Sequence, residues 1–199
     1  MVKIKWKPGN MLYPLPVAMV SCGTTPENYN IITIAWTATV NTNPPMVSIS
    51  VRKERYSYNL IKEAGEFVIN LTTEKLAKAA DWCGVKSGKD YNKFKEMNLT
   101  PGKASVIQVP VIEESPVNIE CKIIKELELG SHNMFIAEVV AVTVEEKYLD
   151  KNSGKFDLRQ TGPIAYLHGN YYALGENLGR FGFSVRKKRG KRKDADKEI

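Results

Sequence analysis

The stretch ISVRKERYS, residues 49–57, sets three cations beside a hydroxyl group. Alternating apolar residues end at Arg52 and Lys53, and a helix is predicted to begin near Ser57. Helix N-termini have free amides and a positive dipole end, and arginine and lysine add charge-assisted bonds. The segment therefore predicts a site for one phosphate monoester, with a solvated strand end or a nucleic-acid surface as alternatives. Strand alternation does not decide which of Arg52, Lys53 and Arg55 points inward.

The polar run TATVNTNPP, residues 37–45, directly follows Trp36. Its threonines and asparagines are small polar residues, which are seldom buried in a core. We interpret the run as a loop whose hydroxyls and backbone amides hydrogen-bond a planar ligand with polar edges. Trp36 would supply an apolar wall for that ligand. An ordinary polar hairpin beside a buried tryptophan is the alternative.

Other candidate residues stand alone in the sequence. Lys93 falls in the basic segment SGKDYNKFKE, residues 87–96, and His132 in the turn LGSHN. A solvated helix face accounts equally well for the lysines, and a lone histidine is more often structural than catalytic. No CxxC, HExxH or nucleophile-elbow pattern occurs in the sequence, so neither a metal site nor a serine hydrolase is predicted.

The remaining sequence indicates which elements position these residues. Period-two alternation rich in Val, Ile and Thr predicts strands at 16–23, 29–36, 46–52, 66–71, 117–129 and 132–149. Short helices are predicted at 55–65, 73–84 and 87–97. Many antiparallel strands with few short helices favour a mainly β barrel. The sequence lacks GxGxxG and GxxxxGK[ST], which argues against a Rossmann or P-loop nucleotide site.

Most of the net charge lies at the C-terminal end. The formal charge is +7, and residues 186–199, with eight basic and three acidic residues, carry +5 of it. We expect this segment to be a disordered, solubilising tail, so nucleic-acid binding is the less favoured interpretation. No apolar run approaches the roughly 20 residues of a membrane helix, and no signal-peptide core is seen. We therefore expect a cytoplasmic protein that does not enter the membrane.

Seven separated motifs occur in one order along the chain: PVAMVSCG, ENYNIITIAWTATVNTNPPMVSISVRKERYSYNLI, GEFVINL, SGKDYNKF, ELGSHNMFIAEV, AYLHGNYYALG and LGRFGFSVRKK. With these motifs the sequence resembles the flavin reductase-like family, above all its flavoredoxins and archaeal ferric reductases. The resemblance covers residues 10–188. It implies an FMN-binding split β-barrel, a Greek-key antiparallel barrel, as one domain over residues 1–188, followed by a basic tail over 189–199.

The resemblance also implies how FMN would be bound without a covalent link. Contacts to the isoalloxazine ring would fall on Asn30, Trp36, Thr37, Ala38 and Thr39. Contacts to the phosphate would fall on Arg52, Lys53 and Ser57, where some relatives have threonine in place of Ser57. The flavin pocket would also be lined by Lys93, His132 and Tyr166. A cationic Lys93 would stabilise the reduced flavin, and His132 would act catalytically by orienting the electron donor or donating a hydrogen bond.

Two functions are implied by the resemblance. The first is an FMN-dependent oxidoreductase that takes electrons from NAD(P)H or a reduced ferredoxin and passes them to free flavin, a ferric chelate or a redox protein. The second is an electron carrier whose FMN connects redox partners without a nicotinamide site. In either case the resemblance implies a homodimer.

Overall fold

The computed structural model describes residues 1–185. The strands are β1 (Leu15–Pro16), β2 (Ala18–Cys22), β3 (Asn30–Ile34), β4 (Thr37–Thr42), β5 (Pro45–Val51), β6 (Glu66–Leu71), β7 (Pro101–Gly102), β8 (Val111–Ile112), β9 (Val117–Glu128), β10 (Asn133–Val144), β11 (Ile164–Leu167) and β12 (Asn170–Ala173). The α-helices are α1 (Tyr56–Ala64), α2 (Ala77–Val85) and α3 (Lys93–Glu96). Short 3-10 turns lie at Glu74–Leu76, Glu146–Tyr148, Leu158–Thr161 and Phe183–Val185. The predicted tail, 189–199, lies outside the described residues.

Seven strands form one antiparallel sheet in the order β3-β2-β6-β9-β10-β5-β4. The two end strands, β3 and β4, are separated in sequence only by Ala35 and Trp36, yet they do not pair. Register shifts at Ile136/Ala137 and Val139/Ala141 interrupt the pairing of β9 with β10, and such bulges bend strands. Because β3 and β4 do not pair, the barrel is open between these two strands. The predicted mainly β, antiparallel fold with few helices is confirmed.

The interpretation of residues 37–45 as a loop is wrong over most of its length. Residues Thr37–Thr42 form β4, which pairs with β5 and places Thr37 opposite Ile49. Its Thr and Val residues favour an extended backbone. Because β4 is the edge strand of the sheet and is largely exposed, its polar side chains need no buried partners. The alternative, a polar hairpin, is correct, although Trp36 is not buried.

The helix predictions differ from the structure mainly in extent. The helix predicted at 55–65 is confirmed as α1, whereas the segment 73–84 divides into a 3-10 turn and α2. Of residues 87–97 only α3 is helical. Asn92 explains the late start of α3, because its side chain accepts a hydrogen bond from the Lys95 amide at 3.1 Å and caps the helix there.

The main core fixes α1 against the sheet. Ile61 of α1 is fully buried with Phe67 of β6, and Phe135 of β10 is 1% exposed. Side chains of this kind contribute roughly 1.5–3 kcal/mol each on burial. Gly65 ends α1 with φ +67°, and its amide donates to the Ile61 carbonyl at 3.1 Å. Packing of Ile61 and the stop at Gly65 therefore hold the C-terminal half of α1 in place, and this in turn fixes its N-terminal end, where Ser57 lies. No helix within residues 1–185 has the length and apolarity needed to cross a membrane.

Candidate functional site

The larger of two neighbouring cavities lies at the opening of the barrel. Its volume is about 440 Å³, within the range of roughly 300–1,000 Å³ typical of small-molecule sites. One wall is β3 with Trp36, and another is the end of β5 with Arg52. Helix α2 and the hairpin of β11 and β12 complete the lining. This combination of apolar, aromatic and cationic walls suits a planar ring with polar edges.

Trp36 and His132 lie against each other in this cavity. Their ring centroids are 4.5 Å apart, with 38° between the ring planes. Trp36 keeps 40% of its surface exposed, so part of the indole is free to contact a ligand. Burial, and then the charge of Arg52, lower the pKa of His132. His132 is therefore neutral near pH 7 and acts as a hydrogen-bonding group, with its Nδ1 2.9 Å from the hydroxyl of Ser131.

Two tyrosines of the hairpin formed by β11 and β12 also line the cavity. Tyr166 and Tyr171 face each other across the hairpin of β11 and β12, with ring centroids 5.7 Å apart. The hydroxyl of Tyr171 donates to Asp81 of α2 at 3.1 Å. Burial, and then the charge of Asp81, raise the pKa of Tyr171 to about 12. The phenol therefore stays protonated and joins the hairpin to α2.

A second cavity, of about 140 Å³, adjoins the first. The two cavities share Ile32, Arg55 and Gly84 in their linings. The smaller one is bounded by the start of α1, by residues 86–88 and by Lys93. One elongated ligand can therefore place a ring in the larger cavity and an anionic end in the smaller cavity.

Lys93 is a buried cation in the lining of the smaller cavity. It is 3% exposed, and its Nζ donates to the carbonyl oxygens of Ile31 and Cys83, each at 2.7 Å. An ammonium group has three N–H donors, so one remains for a ligand. Burial lowers the pKa of Lys93, and the nearby charge of Arg55 lowers it further. Among the described residues Lys93 forms no ion pair, whereas Glu54, which also lines the smaller cavity, pairs with Arg52 at 3.6 Å.

The start of α1 supplies further donors to the same cavity. Arg55 is the N-cap residue and makes no side-chain capping bond, and the first turn has no acidic residue. The amides there, and the positive end of the helix dipole, favour an anion. Ser57, which is 3% exposed, adds a hydroxyl, and Asn30 Nδ2 donates to its Oγ at 2.8 Å. The smaller cavity therefore has the donor set of a phosphate site.

Six of the predicted site residues line these cavities. The larger cavity is lined by Trp36, Arg52, His132 and Tyr166, and the smaller one by Ser57 and Lys93. Lys93 was predicted beside the ring, but the structure places it with Ser57 instead. Arg52 was predicted at the phosphate, but it lines the larger cavity and not the smaller one.

The other predicted residues lie elsewhere. Lys53 lines neither cavity, and its Nζ is 3.2 Å from Glu128. Thr37 and Ala38 line a separate groove beneath the segment 9–15, and Thr39 is exposed on β4. Asn30 was predicted at the ring, but it is buried next to Ser57 and lines neither cavity.

Sequence reasoning did not select several residues that line the cavities. The sequence did not decide which of Arg52, Lys53 and Arg55 points inward, whereas the structure shows that Arg55 borders both cavities. Asp81 and Tyr171 carry no local signal of a binding role, and residues 87–88 fall in a segment that was noted only for its lysines. Tyr171 and Asp81 are 90 positions apart in the chain, so only the folded structure shows that they meet.

The split barrel and its paired cavities define a flavin-associated oxidoreductase, and comparison with known proteins supports this class. The chain belongs to the flavin reductase like domain family, whose model matches residues 10–175. The structure of a flavoredoxin from Desulfovibrio vulgaris (Miyazaki F) is 30% identical, with a TM-score of 0.85, and the match covers 93% of this chain and 100% of that one.

One further protein supports the fold, and another is similar in sequence. A protein with a split barrel domain from Shewanella frigidimarina matches with a TM-score of 0.75 at 22% identity, over 85% of this chain and 86% of that one. A ferric-chelate reductase (NAD(P)H) from Archaeoglobus fulgidus is 27% identical over 107 residues, 53% of this chain and 62% of that protein. The predicted split-barrel fold and family are confirmed.

Proposed function

We propose that this protein is an FMN-dependent oxidoreductase that binds FMN non-covalently and passes electrons through it. One observation carries the proposal: a ring-sized cavity with aromatic walls opens into a smaller cavity lined by cations and a buried hydroxyl. A flavin mononucleotide has a planar ring at one end and a phosphate at the other. The shape and charge of the paired cavities match those two ends.

The larger cavity would hold the isoalloxazine ring. Trp36 and Tyr166 offer ring faces, and His132 offers a neutral hydrogen-bonding group. Arg52 adds positive charge in the same cavity, in an exposed ion pair with Glu54 at 3.6 Å, and would favour negative charge on a bound ring. The bound flavin would supply the electron-transfer chemistry, while the protein supplies position and electrostatics.

The smaller cavity would hold the phosphate. Lys93 has one free N–H donor, Ser57 a hydroxyl and the start of α1 free amides. Arg55, at the junction of the cavities, would contact the phosphate from the side of the ring. Buried, charge-assisted hydrogen bonds of this kind are among the stronger ones in proteins.

The absorption spectrum of the purified protein tests this proposal. We expect a yellow protein with the bands of oxidised flavin, or a colourless one that acquires them when FMN is added. Ser57→Ala should weaken FMN more than riboflavin, because riboflavin lacks the phosphate. A protein that binds no flavin after reconstitution would contradict the proposal.

The electron donor distinguishes an enzyme from an electron carrier. The similarity to an NAD(P)H-dependent ferric-chelate reductase favours a nicotinamide donor and a ferric or flavin acceptor. The similarity to a flavoredoxin favours a carrier that exchanges electrons with redox proteins. Anaerobic titration of the FMN-loaded protein with NADH and NADPH separates the two. Bleaching of the flavin supports the enzyme, and failure to bleach with either nucleotide would contradict a nicotinamide-dependent enzyme.

We also propose that the protein is a homodimer. Large apolar side chains are exposed on β4, on β10 and in the turn between β9 and β10, among them Val40 (48%), Val142 (53%) and Leu129 (58%). A groove of about 670 Å³, mostly apolar, adjoins Trp36 and so reaches the edge of the ring cavity. Apolar surface of this kind is typical of protein interfaces. Analytical ultracentrifugation should give twice the mass of 22.4 kDa, and a monomer would contradict this part of the proposal.

A further inference from the structure

Among the described residues that line the larger cavity, Asp81 is the one acidic residue. It lies on α2 and shares one face of that helix with Gly84 and Val85, which line the same cavity. The hydroxyl of Thr33 on β3 donates to the Ala80 carbonyl at 2.5 Å, and a Cβ at Gly84 would lie 3.3 Å from Thr33. The close contact between α2 and β3 therefore fixes Asp81 at the wall of the cavity.

The carboxylate of Asp81 brings a negative charge to this wall. Aspartate side chains are ordinarily ionised at neutral pH, and among the described residues Asp81 forms no ion pair. The hydroxyl of Tyr171 donates a hydrogen bond to its Oδ1 at 3.1 Å. Burial, and then the charge of Asp81, raise the pKa of Tyr171, so this charge acts on groups in the cavity. The bond from Tyr171 stabilises the carboxylate and reduces its effect on other groups.

Two cations in the same cavity act in the opposite sense. Arg52 and Arg55 line the larger cavity, and Arg52 pairs with the exposed Glu54 at 3.6 Å. Reduction of a flavin ring adds two electrons and one proton, so the ring gains one negative charge. The arginines stabilise that added charge, whereas Asp81 destabilises it. The balance between the two signs therefore affects how readily a ring in this cavity accepts electrons.

We propose that Asp81 lowers the reduction potential of the bound flavin, and that Tyr171 limits this effect through its hydrogen bond to the carboxylate. A lower potential makes the reduced ring a stronger donor, which favours transfer of its electrons to an acceptor. Tyr171 is a positioning residue in this arrangement, because it acts on the ring through Asp81. This inference rests on the proposed function, since it requires a flavin in the larger cavity.

The test is the midpoint potential of FMN bound to the full-length protein, measured by anaerobic reduction with dithionite beside a reference dye. Its shift from the potential of free FMN gives the ratio of the affinities for reduced and oxidised FMN, and a tenfold ratio is about 30 mV for two electrons. Asp81→Asn removes the charge and keeps the shape of the side chain. Because Asp81 is exposed to solvent, this substitution should raise the ratio by about 3- to 10-fold, or about 15–30 mV.

Two further variants complete the series. Tyr171→Phe removes the hydroxyl and keeps the ring, so the carboxylate loses its donor and the affinity ratio should fall by about 2- to 5-fold. In the Asp81→Asn background the same substitution should leave the ratio almost unchanged, because the charge is already absent. Asp90→Asn is the matched control, since Asp90 is exposed and lines neither cavity. It should not change the ratio.

The outcomes separate this inference from the proposed function. A ratio that Asp81→Asn leaves unchanged or lowers, or that Asp90→Asn raises equally, would overturn the inference while flavin binding stands. An equal effect of Tyr171→Phe in both backgrounds would show that Tyr171 does not act through Asp81. Failure of the unmodified protein to bind FMN would overturn both proposals. If Asp81→Asn does not fold, Tyr171→Phe decides the question, because an unchanged or raised ratio would contradict the inference.

Discussion

Arg55 lies two residues after Lys53 in the sequence, yet of these two residues only Arg55 borders both cavities. The Nζ of Lys53 lies instead 3.2 Å from Glu128, in an ion pair whose side chains are 48% and 71% exposed. The chain leaves β5 at Val51 and turns, with the Arg55 amide donating to the Arg52 carbonyl at 3.1 Å. Strand alternation therefore no longer applies when the chain reaches Arg55.

This difference predicts unequal effects of two similar substitutions. Arg55→Ala should weaken FMN about 10- to 100-fold, because it removes a cation beside both the ring and the phosphate. Lys53→Ala, the matched control, should change FMN affinity by less than about twofold, since an exposed ion pair contributes little. Isothermal titration with FMN measures both. Equal losses of FMN affinity in the two variants would mean that Arg55 is no closer to the bound ligand than Lys53.

Lys93 should make FMN binding sensitive to pH on the alkaline side. Its pKa is lowered from 10.5 by burial, and only the protonated form attracts the phosphate. FMN affinity should therefore fall as pH rises through this lowered pKa. Deprotonation of the flavin ring affects riboflavin and FMN alike, so the ratio of their affinities is the proper measurement.

Substitution of Lys93 provides the control for this pH dependence. Lys93→Met should lower FMN affinity at neutral pH and abolish the alkaline change in the FMN-to-riboflavin ratio. Lys89→Met should preserve both, because Lys89 is exposed and lines neither cavity. Burial raises the pKa of the nearby Cys83 thiol to about 11, so the Lys93→Met variant, which keeps this thiol, assigns the alkaline change to one group or the other. Persistence of the alkaline change in Lys93→Met would assign it to another group.

Trp36 should contribute to binding of the flavin ring and not of the phosphate. Trp36→Ala should weaken FMN and riboflavin alike, by about tenfold, as expected for loss of one aromatic contact. Trp6→Ala is the control, since Trp6 is 67% exposed and borders neither cavity. Fluorescence titration with both flavins gives the comparison. A loss confined to FMN would place the ring away from Trp36.

The sequence predicts the place of Ser57 at the phosphate side of the site, but not which cations accompany it. Ser57 could be chosen because the start of a helix has a local signature, and basic residues precede it. The ring cavity instead depends on contacts between distant segments, such as Tyr171 with Asp81 and Trp36 with His132. The sequence around each of these residues does not indicate which distant residue it contacts.

The incorrect prediction of a loop at residues 37–45 has a similar cause. Residues Thr37–Thr42 look like a loop because strands are usually recognised by a buried apolar face. As the edge strand at the opening of the barrel, β4 is largely exposed and lacks such a face. The backbone pairing with β5 alone defines it as a strand.

Glu126 should stabilise the fold in a pH-dependent way. Tyr58 and Asn133 donate hydrogen bonds to its carboxylate, and Lys62 Nζ lies 2.9 Å away. These bonds, first that of Tyr58, lower the pKa of Glu126 to about 2. Because the pKa is lower in the folded than in the unfolded state, the stabilisation is complete above the ordinary value of 4.5 and is lost as pH falls toward 2.

Urea unfolding of Glu126→Gln at several pH values measures this contribution. At pH 7 the variant should be less stable than the unmodified protein by roughly 1–2 kcal/mol, allowing for solvent screening. The difference should shrink between pH 4.5 and pH 2, because the native carboxylate becomes protonated there. Glu128→Gln, which alters an exposed ion pair with Lys53, should cost less than about 0.5 kcal/mol at any pH. A difference for Glu126→Gln that does not change with pH would show that shape, not charge, accounts for its contribution.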